Sequence, residues 1–194
     1  LTKEPGSKKI KICREIRKFL NSKELDGFTE LFLFFADRRE HYLTEVMPAI
    51  QDGKIVVMDR SSGSTWAYQF YGKKLWDMHF PFDLRDFVGS GDFLARAGYP
   101  IDMNILIDCP VELGLKRKKS SCEKLTVFEK REKEFHERVR MGYLRQVQDD
   151  LEYLKSIQQD NNDNLKHWKV FDGEKSIEEL QEEIWNFLND KYSF

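Results

Sequence analysis

The sequence predicts an α/β domain in which a parallel β-sheet is flanked by helices. Three short apolar runs, at 54–58, 103–108 and 167–172, have the length and composition of β-strands. Helical patterns separate these runs, and that alternation is typical of parallel sheets with right-handed crossovers. The run at 54–58 is nearly all apolar, so we expect a strand that is buried on both faces.

Seven helices are predicted from the spacing of apolar residues, and they cover 8–20, 28–51, 61–71, 82–97, 111–119, 128–158 and 176–190. The last has the clearest signal, because Ser176 and Glu179 form a capping-box pattern at its start. Its apolar face is formed by Ile177, Leu180, Ile184, Phe187 and Leu188. With no internal repeat, residues 1–194 are predicted to form a single domain.

Composition narrows the classes of function. The net charge of −2 argues against a nucleic-acid partner and against a polybasic membrane anchor. No apolar stretch reaches membrane-spanning length. The three cysteines form no Cys-x-x-Cys pair, so reduced thiols in a cytoplasmic protein are the simplest interpretation.

Asp59 and Arg60 follow the predicted strand 54–58 directly. Ligands of parallel sheets bind at the carboxyl ends of the strands. An acid and an arginine at that place can hold a metal ion and an anion side by side. A surface ion pair is the plainer interpretation of an isolated Asp-Arg.

Phe34 and Arg38 lie four residues apart on the predicted helix 28–51, so they share a face. Phe34 can stack on a planar base, and Arg38 can hydrogen-bond the edge of that base. The alternative is that Phe34 belongs to the core, because this helix is rich in aromatic residues.

The basic stretch at 116–124 ends in a polar loop. Such a loop can close over phosphates as a lid. It can equally be a solvated helix end, where cations suit the helix dipole.

Several segments, taken in order, resemble the thymidylate kinase family. They are Thr-Lys-Glu-Pro-Gly at 2–6, Glu-Leu-Phe-Leu-Phe-Phe-Ala-Asp-Arg at 30–38, Gly-Lys-Ile-Val-Val-Met-Asp-Arg at 53–60, Ser-Thr-Trp-Ala-Tyr-Gln at 64–69, Leu-Ile-Asp-Cys-Pro at 106–110, Phe-Glu at 128–129 and the helix at 135–144. The resemblance covers most of the chain. It implies a three-layer P-loop NTPase-type fold with a small helical lid at about 116–127.

The resemblance also implies a role for each matching position. Arg60 would hold the acceptor phosphate, and Asp59 would organise the Mg²⁺ site. Phe34 would stack on thymine and Arg38 would contact the base edge. The other residues implied to surround the acceptor nucleotide are Lys3, Pro5, Ser64, Thr65, Tyr68, Gln69 and Phe128. Arg117 would lie against the adenine of ATP, near Lys175.

The implied reaction moves the γ-phosphate of ATP to dTMP with Mg²⁺, a step of nucleotide biosynthesis. The implied protein is a cytoplasmic homodimer. A second possibility is a deoxynucleoside kinase, because Asp59-Arg60-Ser61 and Glu4-Pro5 also resemble motifs of that family. A third is a degenerate relative that binds a nucleotide without catalysis.

Three departures from the family pattern matter. The Gly-x-x-x-x-Gly-Lys-Ser/Thr loop does not occur in the 194 residues. We expect that a unit of roughly 30 residues is missing before Leu1, or else that ATP use has been lost. Thr126-Val127 replace the usual Asp-Arg of the lid, so the lysines at 116–124 or Arg131 would have to contact phosphate. Lys3, Ser7 and Ser61 replace an arginine, a glycine and an aromatic residue.

Overall fold

A computed structural model describes residues 1–6, 9–120, 127–128, 130–156 and 167–193. The chain divides into two compact units. The first comprises Leu1–Pro100 and Leu125–Gly142, and the second Ile101–Lys124 and Tyr143–Phe194. Parallel strands and helices occur in both units, in agreement with the predicted α/β class.

The first unit contains two short strands and a series of helical segments. Its elements are β1 (Thr2–Lys3), α1 (Lys11–Ser22), α2 (Gly27–His41), a π-helical segment (Tyr42–Val46), α3 (Met47–Gln51), β2 (Met58–Asp59), α4 (Ser62–Thr65), a second π-helical segment (Trp66–Gly72), a 3-10 turn (Leu75–Asp77) and α5 (Leu84–Ala95). Asp26 caps α2 by accepting hydrogen bonds from the amides of Phe28 and Thr29. The helix predicted over 28–51 is therefore confirmed, with a π-helical segment in its middle.

The core of this unit lies between α2, the second π-helical segment and α5. It is built from the buried side chains of Leu31, Phe70, Leu75, Leu84 and Val88. Helix α7 (Lys133–Ser156) begins in this unit and packs closely on the π-helical segment. A Cβ atom at Gly142 would lie 2.9 Å from Ala67 Cα, so only glycine permits this approach.

The predicted strand 54–58 is wrong in extent and in burial. Only Met58 belongs to a strand, and 54–57 have no regular structure. Ile55 is 68% exposed and Val57 57% exposed. The strand is short and exposed because, among the described residues, it pairs only with Thr2 and Lys3. The strand ends at Asp59, one residue beyond the predicted end at Met58.

The second unit contains a five-residue parallel strand pair. β3 (Asn104–Asp108) pairs with β4 (Trp168–Asp172), with Asn104 opposite Trp168. Both strands were predicted. The helices of this unit are α6 (Val111–Ser120), the end of α7, and α8 (Ile177–Tyr192).

Helix α8 starts with the predicted capping box, in which Ser176 and Glu179 bond each other's backbone amides. The Phe187 ring packs on the Phe171 ring of β4 at a centroid distance of 5.8 Å. Phe187 of the predicted apolar face therefore contacts the strand pair, whereas Ile177 of that face is 78% exposed.

The predicted lid at 116–127 lies partly outside the described residues. Its first part, up to Ser120, belongs to α6, and the structure describes nothing at 121–126. Among the helices that the structure describes, none is long and apolar enough to cross a membrane.

Candidate active site

Arg60 has an unusual backbone conformation at the end of β2. Its φ angle is 71°, in the left-handed region of backbone conformation that residues other than glycine rarely adopt. The side chain is exposed, and the guanidinium carbon lies 5.2 Å from the centroid of the Tyr68 ring. Strained conformations of this kind cluster at functional sites because the surrounding structure must hold them in place.

Asp59 precedes Arg60 and is also exposed. Its backbone is fixed by β1, because its carbonyl oxygen accepts a hydrogen bond from the Glu4 amide at 3.0 Å. The described residues contain no cluster of three metal-ligating side chains. Mg²⁺ often takes only one or two carboxylates, with waters and substrate phosphates completing its shell. Asp59 therefore fits a magnesium site of that open kind.

Arg38 is buried, with only 1% of its surface exposed. Its Nε and Nη2 donate to Glu4 Oε2 at 2.9 and 2.7 Å, and Nη1 donates to Asp92 Oδ1 at 2.5 Å. Nη2 also donates to Thr65 Oγ1 at 3.0 Å. Burial by itself lowers the pKa of Arg38, but Glu4 and Asp92 outweigh it and raise the pKa above its usual value. The guanidinium is therefore charged and mostly engaged within the protein.

Three residues of α2 form a stripe that faces the helical segments 62–72. Glu30, Phe34 and Arg38 lie four residues apart, so they line one face of α2. At one end Gln69 Nε2 donates to Glu30 Oε2 at 3.1 Å, and at the other Arg38 donates to Thr65. Phe34 therefore lies between two polar pairs.

Aromatic rings surround the middle of this stripe. Phe34 is half-buried, so it is not an ordinary core residue. Its ring lies 6.3 Å from the Phe128 ring, and Phe128 lies 6.1 Å from Tyr68. The Arg60 guanidinium lies over the Tyr68 ring. The three rings therefore form a line of contacts between Phe34, the predicted base-binding residue, and Arg60, the predicted phosphate-binding residue.

The remaining predicted residues of the first unit lie near the ends of the two short strands. Lys3 is exposed and pairs with Asp59 in the strand register. Pro5 and Ser64 are half-buried, and the Ser64 amide donates to the Ser61 carbonyl at 2.9 Å. Next to Pro5, the Gly6 amide donates to Asp37 Oδ2 at 2.5 Å. No described contact links Lys3 or Pro5 to Phe34 or Arg38.

The two predicted ATP-binding residues lie in the second unit. Arg117 of α6 donates to the carbonyl oxygens of Gly173 and Glu174. Lys175 follows that loop and forms an ion pair with Glu183 at 2.5 Å. The hydrogen bond to Glu183 raises the pKa of Lys175. The predicted proximity of Arg117 to the loop at 173–175 is therefore confirmed.

Sequence reasoning missed the acidic partners of the site. Asp92 and Glu30 were not singled out, although both are nearly fully buried. The sequence could have indicated Glu30, because it lies about one helical turn before Phe34 on the same face of the predicted helix. No sequence pattern could have indicated Asp92, because it lies 54 residues from Arg38 in the chain.

Comparison with known proteins adds an independent observation. A family model described as thymidylate kinase matches residues 1–184. The chain is 39% identical over 153 residues to the thymidylate kinase of Maridesulfovibrio salexigens, covering 74% of this chain and 66% of that protein. It is 37% identical over 147 residues to the thymidylate kinase of Trichormus variabilis, with 74% and 65% covered.

A third relative matches over a greater length. The thymidylate kinase of Clostridium novyi is 32% identical over 180 residues, which is 91% of this chain and 81% of that protein. The first two relatives are matched over slightly less than two thirds of their own length.

The fold is that of the P-loop NTPase class of α/β proteins. Within that class, the chain belongs to the thymidylate kinase family.

Proposed function

We propose that the protein is a nucleoside monophosphate kinase that transfers the γ-phosphate of ATP to dTMP, with Mg²⁺, and so forms dTDP. The observation that carries this proposal is the placement of Arg60. Arg60 is an exposed residue next to Asp59, just after a strand end, and its backbone is held in the left-handed region. A guanidinium in such a place suits a phosphate, because charge-assisted bonds to phosphate oxygens are strong and directional.

The state of Glu4 favours a phosphate acceptor over a nucleoside. A kinase acting on a 5′-hydroxyl needs a base to take the proton of that hydroxyl. Glu4 is the residue that the nucleoside kinase alternative would use, yet it is buried and two N–H groups of Arg38 bond its Oε2. A monophosphate acceptor is already anionic and needs no such base.

In the proposed reaction the side chains position the nucleotide and neutralise its charge. Phe34 stacks on the thymine ring, and Arg60 binds the acceptor phosphate. Gln69 and the Arg38–Thr65 pair border the base, while Arg117 and Lys175 belong to the ATP side. Bound Mg²⁺, held by Asp59, would neutralise charge on the transferring phosphoryl group. Such positioning is the main source of rate enhancement in phosphoryl transfer.

Calorimetry with dTMP and with thymidine tests the proposal. A charged contact between Arg60 and the phosphate is worth about 1.5–3 kcal/mol, so thymidine should bind at least about tenfold more weakly. Equal affinity for the two ligands would contradict the monophosphate acceptor and favour the nucleoside kinase. Release of ADP that depends on dTMP and Mg²⁺ would support catalysis over mere binding.

We also propose that the protein acts as a homodimer in the cytoplasm. Support comes from the helical stretch 27–51, where the exposed apolar side chains include Phe32, Leu43 and Ile50. Analytical ultracentrifugation checks the assembly, and a monomer at micromolar concentration would contradict it.

A further inference from the structure

The side chain of Arg131 is buried in the first unit, just before α7. Only 7% of it is exposed. Its guanidinium carbon lies 4.7 Å from the ring centroid of Phe128 and 4.5 Å from that of Phe135. Nη2 donates to Glu30 Oε1 at 2.5 Å. The charged group is therefore held inside the protein by two aromatic rings and one carboxylate.

Glu30 is a fixed anchor for Arg131. It is 2% exposed, and each of its carboxylate oxygens is engaged. Lys73 Nζ lies 3.3 Å from Oε1, the oxygen that Arg131 bonds. Gln69 Nε2 donates to the other oxygen at 3.1 Å. The carboxylate is thus held from two sides, and its place on α2 determines where the Arg131 guanidinium lies.

The contacts of Arg131 form a closed path that begins and ends on α2. Glu30 and Phe34 lie four residues apart on one face of that helix. Arg131 connects Glu30 to Phe128. The Phe128 ring in turn lies 6.3 Å from the Phe34 ring, at an interplanar angle of 55°. Because both ends of the path are on the same helix, Arg131 fixes the Phe128 ring beside the Phe34 ring.

Stability alone does not account for a buried arginine at this position. Nε and Nη1 of Arg131 are buried and make no hydrogen bond within the described part of the chain. Buried N–H groups without a partner cost stability. Replacing a buried ion pair by apolar side chains of similar volume is often neutral or stabilising. The placement of Phe128 relative to α2 is a role that such an apolar replacement could not fill.

We propose that Arg131 is a positioning residue of the acceptor site, which holds Phe128 in a preformed aromatic corner with Phe34. This inference rests on the proposed function, because it assumes that the base of dTMP stacks on Phe34. A corner that is built before the ligand arrives needs no ordering on binding, so it raises the affinity for the nucleotide. Arg131 then acts on dTMP binding through an aromatic ring, and not as the phosphate contact that the sequence suggested.

The test is a double-mutant cycle that combines Arg131→Gln with Phe128→Leu, with the dissociation constant of dTMP measured by calorimetry. Arg131→Gln removes the charge that binds Glu30 and stacks on the rings, so dTMP should bind about tenfold more weakly. In the Phe128→Leu background the same change should have less than about a twofold effect, because Arg131 acts through that ring. Equal effects in the two backgrounds would overturn the inference, since a general loss of structure does not require the Phe128 ring.

Arg138→Gln is the matched control. The Arg138 guanidinium carbon lies 6.0 Å from the centroid of the same Phe135 ring, and Nε donates to the Gly72 carbonyl at 3.0 Å. No described contact joins Arg138 to Phe128. Arg138→Gln should therefore leave dTMP affinity unchanged, whatever it costs in stability. An equal loss of dTMP affinity in Arg138→Gln and Arg131→Gln would overturn the inference, because it would show a general effect of this region.

The Michaelis constant for ATP separates the proposed role from a phosphate contact. It should be unchanged in Arg131→Gln at saturating dTMP. A raised constant for ATP with unaltered dTMP affinity would assign Arg131 to the phosphates and overturn the inference.

The Phe128→Leu variant covers the case in which Arg131→Gln does not fold. It should bind dTMP about tenfold more weakly than the unaltered protein, because the aromatic corner is lost. Equal affinity in a folded Phe128→Leu variant would overturn the inference and leave the proposed function intact. If the unaltered protein bound no dTMP, the proposed function would fail first and the inference with it.

Discussion

Arg38 and Glu4 form a buried, two-bond ion pair across 34 positions of sequence. Nε and Nη2 of Arg38 both donate to Glu4 Oε2, and Asp92 and Thr65 bind the rest of the same guanidinium. At most one of the five N–H groups of this side chain remains for a base edge. The Arg38–Glu4 pair therefore joins the β1 end to α2 before any ligand arrives.

Arg38→Ala is expected to lower the free energy of unfolding by about 3–5 kcal/mol, because it leaves Glu4 buried without its cation and leaves Asp92 with Arg96 alone. Arg39→Ala is the matched control. Arg39 is exposed and donates only to the Leu94 carbonyl in the described structure, so its loss should cost less than about 1 kcal/mol. Urea denaturation measures both variants, and equal stability would contradict a structural role for Arg38.

Arg60→Ala and Arg60→Gly should both lose turnover by about a hundredfold or more, since one preorganised charged contact is removed. Their stabilities should differ, because glycine adopts a φ of 71° without the steric cost that alanine meets. ADP release and melting temperature are measured together. Lys74→Gly is the control, since Lys74 also has a positive φ, of 58°, and it should keep normal turnover. Normal turnover in either Arg60 variant would show that Arg60 is not part of the active site.

Phe34→Ala should weaken dTMP binding with only a modest loss of stability, because Phe34 is half-buried. Leu31→Ala, on the same helix, should do the opposite. Leu31 is fully buried, so its truncation should cost about 2–5 kcal/mol of stability and leave dTMP affinity unchanged in the folded protein. Calorimetry and thermal melting separate the two effects. Normal dTMP affinity in Phe34→Ala would show that Phe34 does not bind the base and has only a packing role.

Cys13 should resist alkylation until the protein unfolds. Burial, followed by the charge and hydrogen bonding of Asp37, raises the pKa of its thiol to about 12. The reactive thiolate is therefore almost absent at pH 8. Cys109 is partly exposed and should react with iodoacetamide before Cys13. Mass spectrometry of labelled peptides checks the order, and early labelling of Cys13 would contradict the buried environment.

Asp37→Asn should be more stable than the unaltered protein at pH 7 and should lose that advantage in acid. Burial, and also the charge of Glu4, raises the pKa of Asp37 in the folded state. The unfolded carboxyl ionises first, near pH 4. Stability of the unaltered protein therefore falls as pH rises from there to the raised folded pKa, and then stays level. Denaturation at pH 3.5 and pH 7 measures the difference between the two proteins, which should grow with pH.

The helices were predictable because their signals are local. The capping box at Ser176 depends on residues three apart and is present, and Phe187 of the predicted apolar face packs on Phe171. The strand at 54–58 was overestimated, because an apolar run shows what a segment could bury but not which neighbour it has. Residues 54–57 have no paired strand among the described residues.

The candidate site was predictable only in part, for a similar reason. The spacing of Phe34 and Arg38 indicated a shared face, and the stripe on α2 agrees with it. The partners of Arg38 lie 34, 54 and 27 residues away in sequence, so no local pattern reveals them. The hydrogen bond from Gln69 to Glu30 likewise joins residues that are 39 positions apart.

The closed bonding of Arg38 limits how positions 4, 38, 65 and 92 can vary during evolution. Loss of any one of these four side chains removes at least one bonding partner from a buried charged group or hydroxyl. Neutral drift at these four positions must therefore pass through less stable intermediates, so replacements are expected to be retained in sets. In an alignment of descendants of this protein, the four columns should co-vary more strongly with one another than with their chain neighbours.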